Sequence, residues 1–151
     1  MDFSEKLTRY MTEALALARE AAAEGEVPVG AVVVRDGEII ARGRNRRLAG
    51  DPLAHAEIEA LRAAAALLGS WRLDDCDLVV TLEPCPMCAG AIMQARVGRV
   101  FFGAFDSRAG CCGSLYNLPE DKRFPTRTAV YGGHMQDACA AVLEDFFRER
   151  R

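Results

Sequence analysis

The stretch from Asp77 to Ala104 constrains the fold more than any other part of the chain, because it reads as strand, helix, strand. DLVVTL (77–82) is a continuous apolar run of the kind that lies buried on both faces of a sheet. Pro86 has the place of a first helical turn for MCAGAIMQAR, Gly98 follows that segment's end, and RVFFGA (99–104) is a second strand. A helix between two such strands implies a parallel pair joined by a right-handed crossover. Ligand sites in such sheets collect at the carboxyl ends of the strands, where Leu82 feeds directly into Glu83-Pro84-Cys85.

The other elements arrange themselves around this unit. Leu7, Met11, Ala14, Ala18 and Ala21 recur at helical spacing within residues 4 to 24, Asp2 and Glu5 have the form of a capping box, and Gly25 ends the segment. VGAVVV and EIIARG flank Arg35-Asp36-Gly37, which predicts a hairpin. Asp51-Pro52 is placed to cap a second helix through HAEIEALRAAAALL to Gly69, with a start anywhere up to His55. Residues 105 to 126 form a long irregular stretch, of the kind that more often carries function than mere connection. RTAVYG is a last strand. After Gly132-Gly133, Met135, Cys139, Val142 and Phe146 have the spacing of a closing helix. The expectation is one domain over 1–151, a three-layer α/β/α arrangement with a mixed five-stranded sheet.

Composition narrows the function. A net charge of −3 argues against a protein that coats nucleic acid indiscriminately, a mode that needs many phosphate neutralisations. Two local basic clusters escape that objection: Arg42, Arg44, Arg46 and Arg47, and the terminal Arg148, Arg150 and Arg151. Either can equally be a solvated surface. No apolar run approaches the roughly 20 residues that cross a bilayer, and MDFSEKLTRY is charged where a signal peptide is apolar, so a cytoplasmic protein without a membrane partner is expected. In that reducing setting, closely spaced cysteines are more often metal ligands or redox groups than disulfides. Of the six cysteines only Cys85 and Cys88 have ligand spacing. Cys76 and Cys139 read as small buried hydrophobes, and Cys111 and Cys112 are assigned no chemistry.

The chemistry sits in His55-Ala56-Glu57 and Pro84-Cys85-Pro86-Met87-Cys88. Two thiolates and an imidazole suit zinc, and three protein ligands leave a fourth position open, as in a catalytic site. Cys85 and Cys88 share a face at a helix start, whose positive end favours thiolates. Glu57 follows His55 by two residues, about 200° around a helix, which makes it a neighbour of the metal and not a stacked second ligand. There it can accept and deliver protons. A lone CxxC is often incidental and a lone His before Glu means little; together, on either side of a strand, they are far more specific. His134 reads as a surface or capping residue.

His-x-Glu paired with Pro-Cys-x-x-Cys is the signature of zinc nucleobase deaminases. VPVGAVVV, DPLAHAEIEALR, TLEPCPMCAGAI, QARVGRVFFGAFD, GSLYNLP and the terminal DFFRERR together resemble bacterial tRNA-specific adenosine deaminases along nearly the whole chain. The resemblance implies a cytidine deaminase-like fold, one zinc per subunit, a homodimer, and hydrolytic conversion of adenosine to inosine at the first anticodon position of an arginine tRNA. It assigns zinc to His55, Cys85 and Cys88, proton transfer to Glu57, and base contact to Asn45. It places Asp106 near a ribose 2′-hydroxyl and makes Val27, Pro28 and Val29 a wall of the base pocket. An Asn or Asp in these places is also a common turn residue. Arg148, Arg150 and Arg151 are expected to contact phosphates of the anticodon stem-loop, anchored by Phe146-Phe147. Two other readings stand beside this one: a guanine or cytosine deaminase acting on a free base or nucleoside, and a non-catalytic zinc module in which Glu57 is idle.

Overall fold

Alternation along the strands sorts the interior into two cores. A computed structural model describes residues 1–150, and the phosphate contact expected of Arg151 lies outside the described residues. In chain order the elements are α1 (Phe3–Ala23), β1 (Gly30–Arg35), β2 (Glu38–Arg44), α2 (Ala56–Leu68), β3 (Cys76–Leu82), α3 (Pro86–Gln94), β4 (Arg99–Ala104), β5 (Ala129–Gly132) and α4 (Gln136–Glu149). Ala31, Val33, Leu78, Val80, Val100 and Phe102 point to one side, with α2 and α3. Val32, Val34, Val79 and Phe101 point to the other, with α1 and α4. The period of two along each strand thus fills both faces of the sheet, and the layers are α/β/α as expected.

The sheet runs β2-β1-β3-β4-β5. β1 is antiparallel to both β2 and β3, while β3, β4 and β5 run parallel, so the sheet is mixed. The hairpin turns on Asp36 (φ 52°) and Gly37 (φ 78°), both left-handed as a tight primed turn requires. Asp2 caps α1 by accepting from Glu5 N at 2.8 Å.

One boundary differs from the sequence expectation in a way that matters for the site. Asp51 does not cap α2: its Oδ1 accepts from Leu53 N at 2.9 Å and closes a local turn, so the helix starts only after His55. Residues 47–49 form a single 3₁₀ turn ahead of it. Gly43 sets the depth of the new start. A Cβ there would collide with the carbonyl of Ala56, so β2 meets the first turn of α2 backbone to backbone.

Candidate active site

Two helix starts converge at the carboxyl end of β3. His55 is the N-cap residue of α2, with extended backbone (φ −76°, ψ 154°), and Cys85 is the N-cap residue of α3 (φ −75°, ψ 176°). Pro86 fills the first helical position of α3, where a missing N–H costs nothing. Cys88 follows one turn on and is fully buried. His55 Nδ1 lies 3.6 Å from Cys85 Sγ and 3.5 Å from Cys88 Sγ. All three ligand atoms fall within 4.8 Å of one another. A tetrahedral zinc about 2.0 Å from nitrogen and about 2.3 Å from sulfur separates two such ligands by about 3.5 Å, so the donor set fits the ion in both chemistry and spacing.

Charge is distributed unevenly across the trio. Hydrogen bonds from Cys88 and His55 pull the Cys85 thiol down to about 4. The same bond to Cys85, together with burial, pushes Cys88 up. His55 is raised, chiefly by its bond to Cys85. Cys85 is therefore the readiest thiolate of the set, at the positive end of α3.

Glu57 is in the first turn of α2 and is 4% exposed. Burial pushes its carboxyl up to about 7; the negative charge of Cys85 adds to that, while His55 and a bond with Cys88 oppose it. A carboxyl poised there is matched to proton transfer near neutral pH. His55 lies before α2 and not on it, so helical spacing does not set the angle between it and Glu57. The clustered ligand atoms are those of His55, Cys85 and Cys88, and Glu57 is their neighbour through Cys88.

Asn45, 6% exposed, ties these parts together. Its Oδ1 accepts from Ala56 N at 2.9 Å and its Nδ2 donates to Val27 O at 3.0 Å. The carboxamide pins the first turn of α2 to the segment before β1, and one Nδ2 hydrogen remains for a further acceptor. Of the expected pocket wall only Val27 faces open space; Pro28 and Val29 are buried in the core. Val27 lines two cavities, and neither is lined by His55, Glu57, Cys85 or Cys88 themselves. One, of about 610 Å³, is lined by Arg47, Leu48, Phe146 and Arg150. The other, of about 500 Å³, is lined by Leu82, Phe105, Asp106, Arg108 and Phe147. Asp106 does close a turn, its Oδ1 accepting from Arg108 N and Ala109 N at 3.0 and 3.2 Å, and it lines the cleft as well.

Residues 4–104 match the family described as the cytidine and deoxycytidylate deaminase zinc-binding region. The tRNA-specific adenosine deaminase of Bacillus subtilis is 49% identical over 143 residues, 94% of this chain and 89% of that protein. The chain belongs to the tRNA-specific adenosine deaminase family. A solved structure from a study of A-to-I editing by tRNA:A34 deaminases at the wobble position superposes with a TM-score of 0.86, at 44% identity over 90% of this chain and 99% of the other. The guanine deaminase of Nitrosomonas europaea superposes with a TM-score of 0.79, at 30% identity over 91% of this chain and 82% of the other. The zinc-binding fold of this deaminase is thus shared with enzymes that act on free bases.

The carboxyl terminus of the deaminase departs from the expected projecting unit. Phe146 is buried, but Phe147 is 47% exposed, so one ring anchors the helix and not two. Arg148 pairs with Asp145 at 3.1 Å. Arg150 folds back over the Phe146 ring, 3.5 Å from its centroid, and donates to Phe146 O. The aromatic face and a free carbonyl draw the guanidinium inward, to the wall of the larger cavity. In the other basic cluster Arg42 and Arg44 pair with Glu13 and Glu24, whereas Arg47 faces that same cavity. His134 is a surface residue that bonds Thr8 Oγ1 at 3.0 Å.

Sequence reasoning passed over two acids. Glu26, 6% exposed, accepts from Leu48 N at 2.7 Å and holds the 47–49 turn. Glu83, 2% exposed, holds the loop after β4. A carboxylate at the end of an apolar strand has to find donors, and that signal was available at Glu83.

Proposed function

We propose that this deaminase hydrolyses adenosine to inosine at the first anticodon position of a tRNA, that of arginine in the reading the resemblance gives, releasing ammonia. The single observation that carries the mechanism is a buried Glu57 in the first turn of α2, beside the His55, Cys85 and Cys88 cluster and outside its number. Zinc, when bound by His55, Cys85 and Cys88, supplies Lewis acidity that makes hydroxide available near neutral pH. Glu57 takes one proton from the attacking water and delivers it to the purine ring nitrogen, then carries the second, from the newly added hydroxyl, to the amine, which leaves as ammonia while the carbonyl forms. Asn45 offers its remaining N–H to the base edge, Val27 walls the base, and Asp106 faces the ribose. Arg47 and Arg150 meet phosphates from the larger cavity, as a free base would not require.

The protein acts as a homodimer in the cytoplasm. Support for self-association comes from large apolar side chains left exposed near this end of the molecule, Leu48, Leu53, Leu115 and Tyr116. No helix among the described residues is long and apolar enough to cross a membrane.

The test offers purified protein an anticodon stem-loop, nucleosides and free bases, and measures inosine and ammonia from each. Inosine from the stem-loop alone is the expected result. Ammonia from guanine with none from the stem-loop would replace the reading with that of the guanine deaminases, and no release from any substrate would leave a non-catalytic zinc module. Light scattering that gives a monomer with full activity would remove the dimer.

A further inference from the structure

Glu83 is the most deeply buried acid among the described residues, and its partners all come from one loop. Oε1 accepts from Asp106 N at 2.9 Å and from the Ser114 hydroxyl. Oε2 accepts from Cys112 N at 3.1 Å and Ser114 N at 2.8 Å. Gly110, between these donors, packs directly on the carboxylate, so that a Cβ there would collide with it. Two backbone bonds close the seam: Glu83 N donates to Ala104 O at 2.9 Å, and Cys111 N donates to Pro84 O at 2.8 Å. No salt bridge reaches Glu83 among the described residues. Residues 105–114 are wrapped around one buried negative charge, and that charge belongs to the turn that carries Cys85. Burial acts to raise the Glu83 pKa, but the hydrogen bonds from Ser114, Asp106 and Cys112 outweigh it and hold it below the ordinary value.

What the loop carries gives the clamp its meaning. Phe105, Asp106, Ser107 and Arg108 line the cleft opposite Val27 and Phe147. Asp106 is fixed twice, its backbone N by Glu83 and its carboxylate by the Arg108 and Ala109 amides. We infer that Glu83 is a positioning residue for substrate: through its hydrogen bonds to Asp106, Cys112 and Ser114 it fixes the cleft wall formed by residues 105–109 relative to the metal ligand Cys85. This rests on the deaminase reading above and deepens it, because it separates the group that seats the nucleotide from the groups that react with it.

The test compares wild type with Glu83→Gln and Ser114→Ala, measuring kcat and KM on an anticodon stem-loop, zinc content, and amide hydrogen exchange. Gln keeps the volume but turns one acceptor into a donor that faces backbone N–H groups. Hydrogen bonds to a charged acceptor being stronger than neutral ones, KM is expected to rise about tenfold in Glu83→Gln and about threefold in Ser114→Ala. In both variants kcat stays within about twofold and zinc stays stoichiometric. The amides of Asp106, Cys112 and Ser114 exchange faster in Ser114→Ala than in wild type, and those of α1 do not. A merely structural role predicts lower stability with KM unchanged, and that result would overturn the inference. So would a loss of zinc and kcat at constant KM, which would place Glu83 in support of the ligands instead. If Glu83→Gln does not fold, Ser114→Ala decides: a raised KM supports the clamp and an unchanged one ends it. Wild type that leaves the stem-loop untouched defeats the deaminase reading itself, a result distinct from any of these.

Discussion

At the amino end of the parallel strands, charge meets charge in the open. Arg35 pairs with Asp75 at 2.8 Å, Arg99 with Asp77 at 2.6 Å, and Arg72 with Asp74 at 2.8 Å, all at least partly exposed. At the carboxyl end three acids are buried, and their partners are not cations: Glu83 and Glu26 meet backbone amides, and Glu57 meets a thiol. Solvent screens the first set, and burial exposes the second to its neighbours. The same residue type is therefore decoration at one end of a sheet and chemistry at the other.

The contrast is easiest to break with a metal ligand. Cys88→Ala leaves two protein ligands, so zinc and deamination are expected to vanish together, measured by metal analysis and by inosine release. Retained zinc with retained activity would show that the buried end tolerates loss as readily as the exposed one.

Acid sensitivity comes next. Because the folded-state pKa of Glu83 lies below its ordinary value of 4.5, its contribution to stability is present above that pH and is lost as pH falls below it. Denaturant unfolding of wild type and Glu83→Gln should therefore converge as pH drops under 4.5 and diverge above it. A constant difference across that window would remove the charge from the account.

A smaller effect separates the two described terminal arginines. Arg150 lines the larger cavity while Arg148 is engaged by Asp145, so Arg150→Ala should weaken stem-loop binding several-fold. It should also lower the salt slope by about 0.7. Arg148→Ala should change affinity by less than about twofold. Binding across a salt series reads both, and equal effects would restore the projecting tail. Least of all, Asp75→Asn should shift stability by under about 1 kcal/mol and leave kcat/KM unchanged, because its partnership with Arg35 is exposed on both sides.

Periodicity and turn chemistry made most of the fold legible. The hairpin at Asp36-Gly37, the crossover from DLVVTL to RVFFGA and the three ligands all lie where their residues implied. The start of α2 was less legible, because Asp51 has the residue type of a cap and uses its oxygen in a turn instead. The direction of Arg150 is not legible for a similar reason: spacing suggests a projecting side chain, but a neighbouring aromatic ring decides where a long side chain goes. Glu83 escaped notice because its partners lie 23 to 31 residues away in a loop with no periodic pattern. Asn45 was singled out by resemblance, yet its bonds to Val27 and Ala56 could be read only from the folded chain.

The central claim is that Glu57 moves protons and does not hold the metal. Glu57→Gln keeps the shape of the buried side chain and removes its capacity to accept and return a proton, so zinc content and kcat on an anticodon stem-loop, measured on the same preparation, test the claim directly. The account predicts one zinc per chain, as in wild type, with kcat lowered about 10²- to 10⁴-fold. A fall in zinc in proportion to activity would contradict it and make Glu57 a ligand.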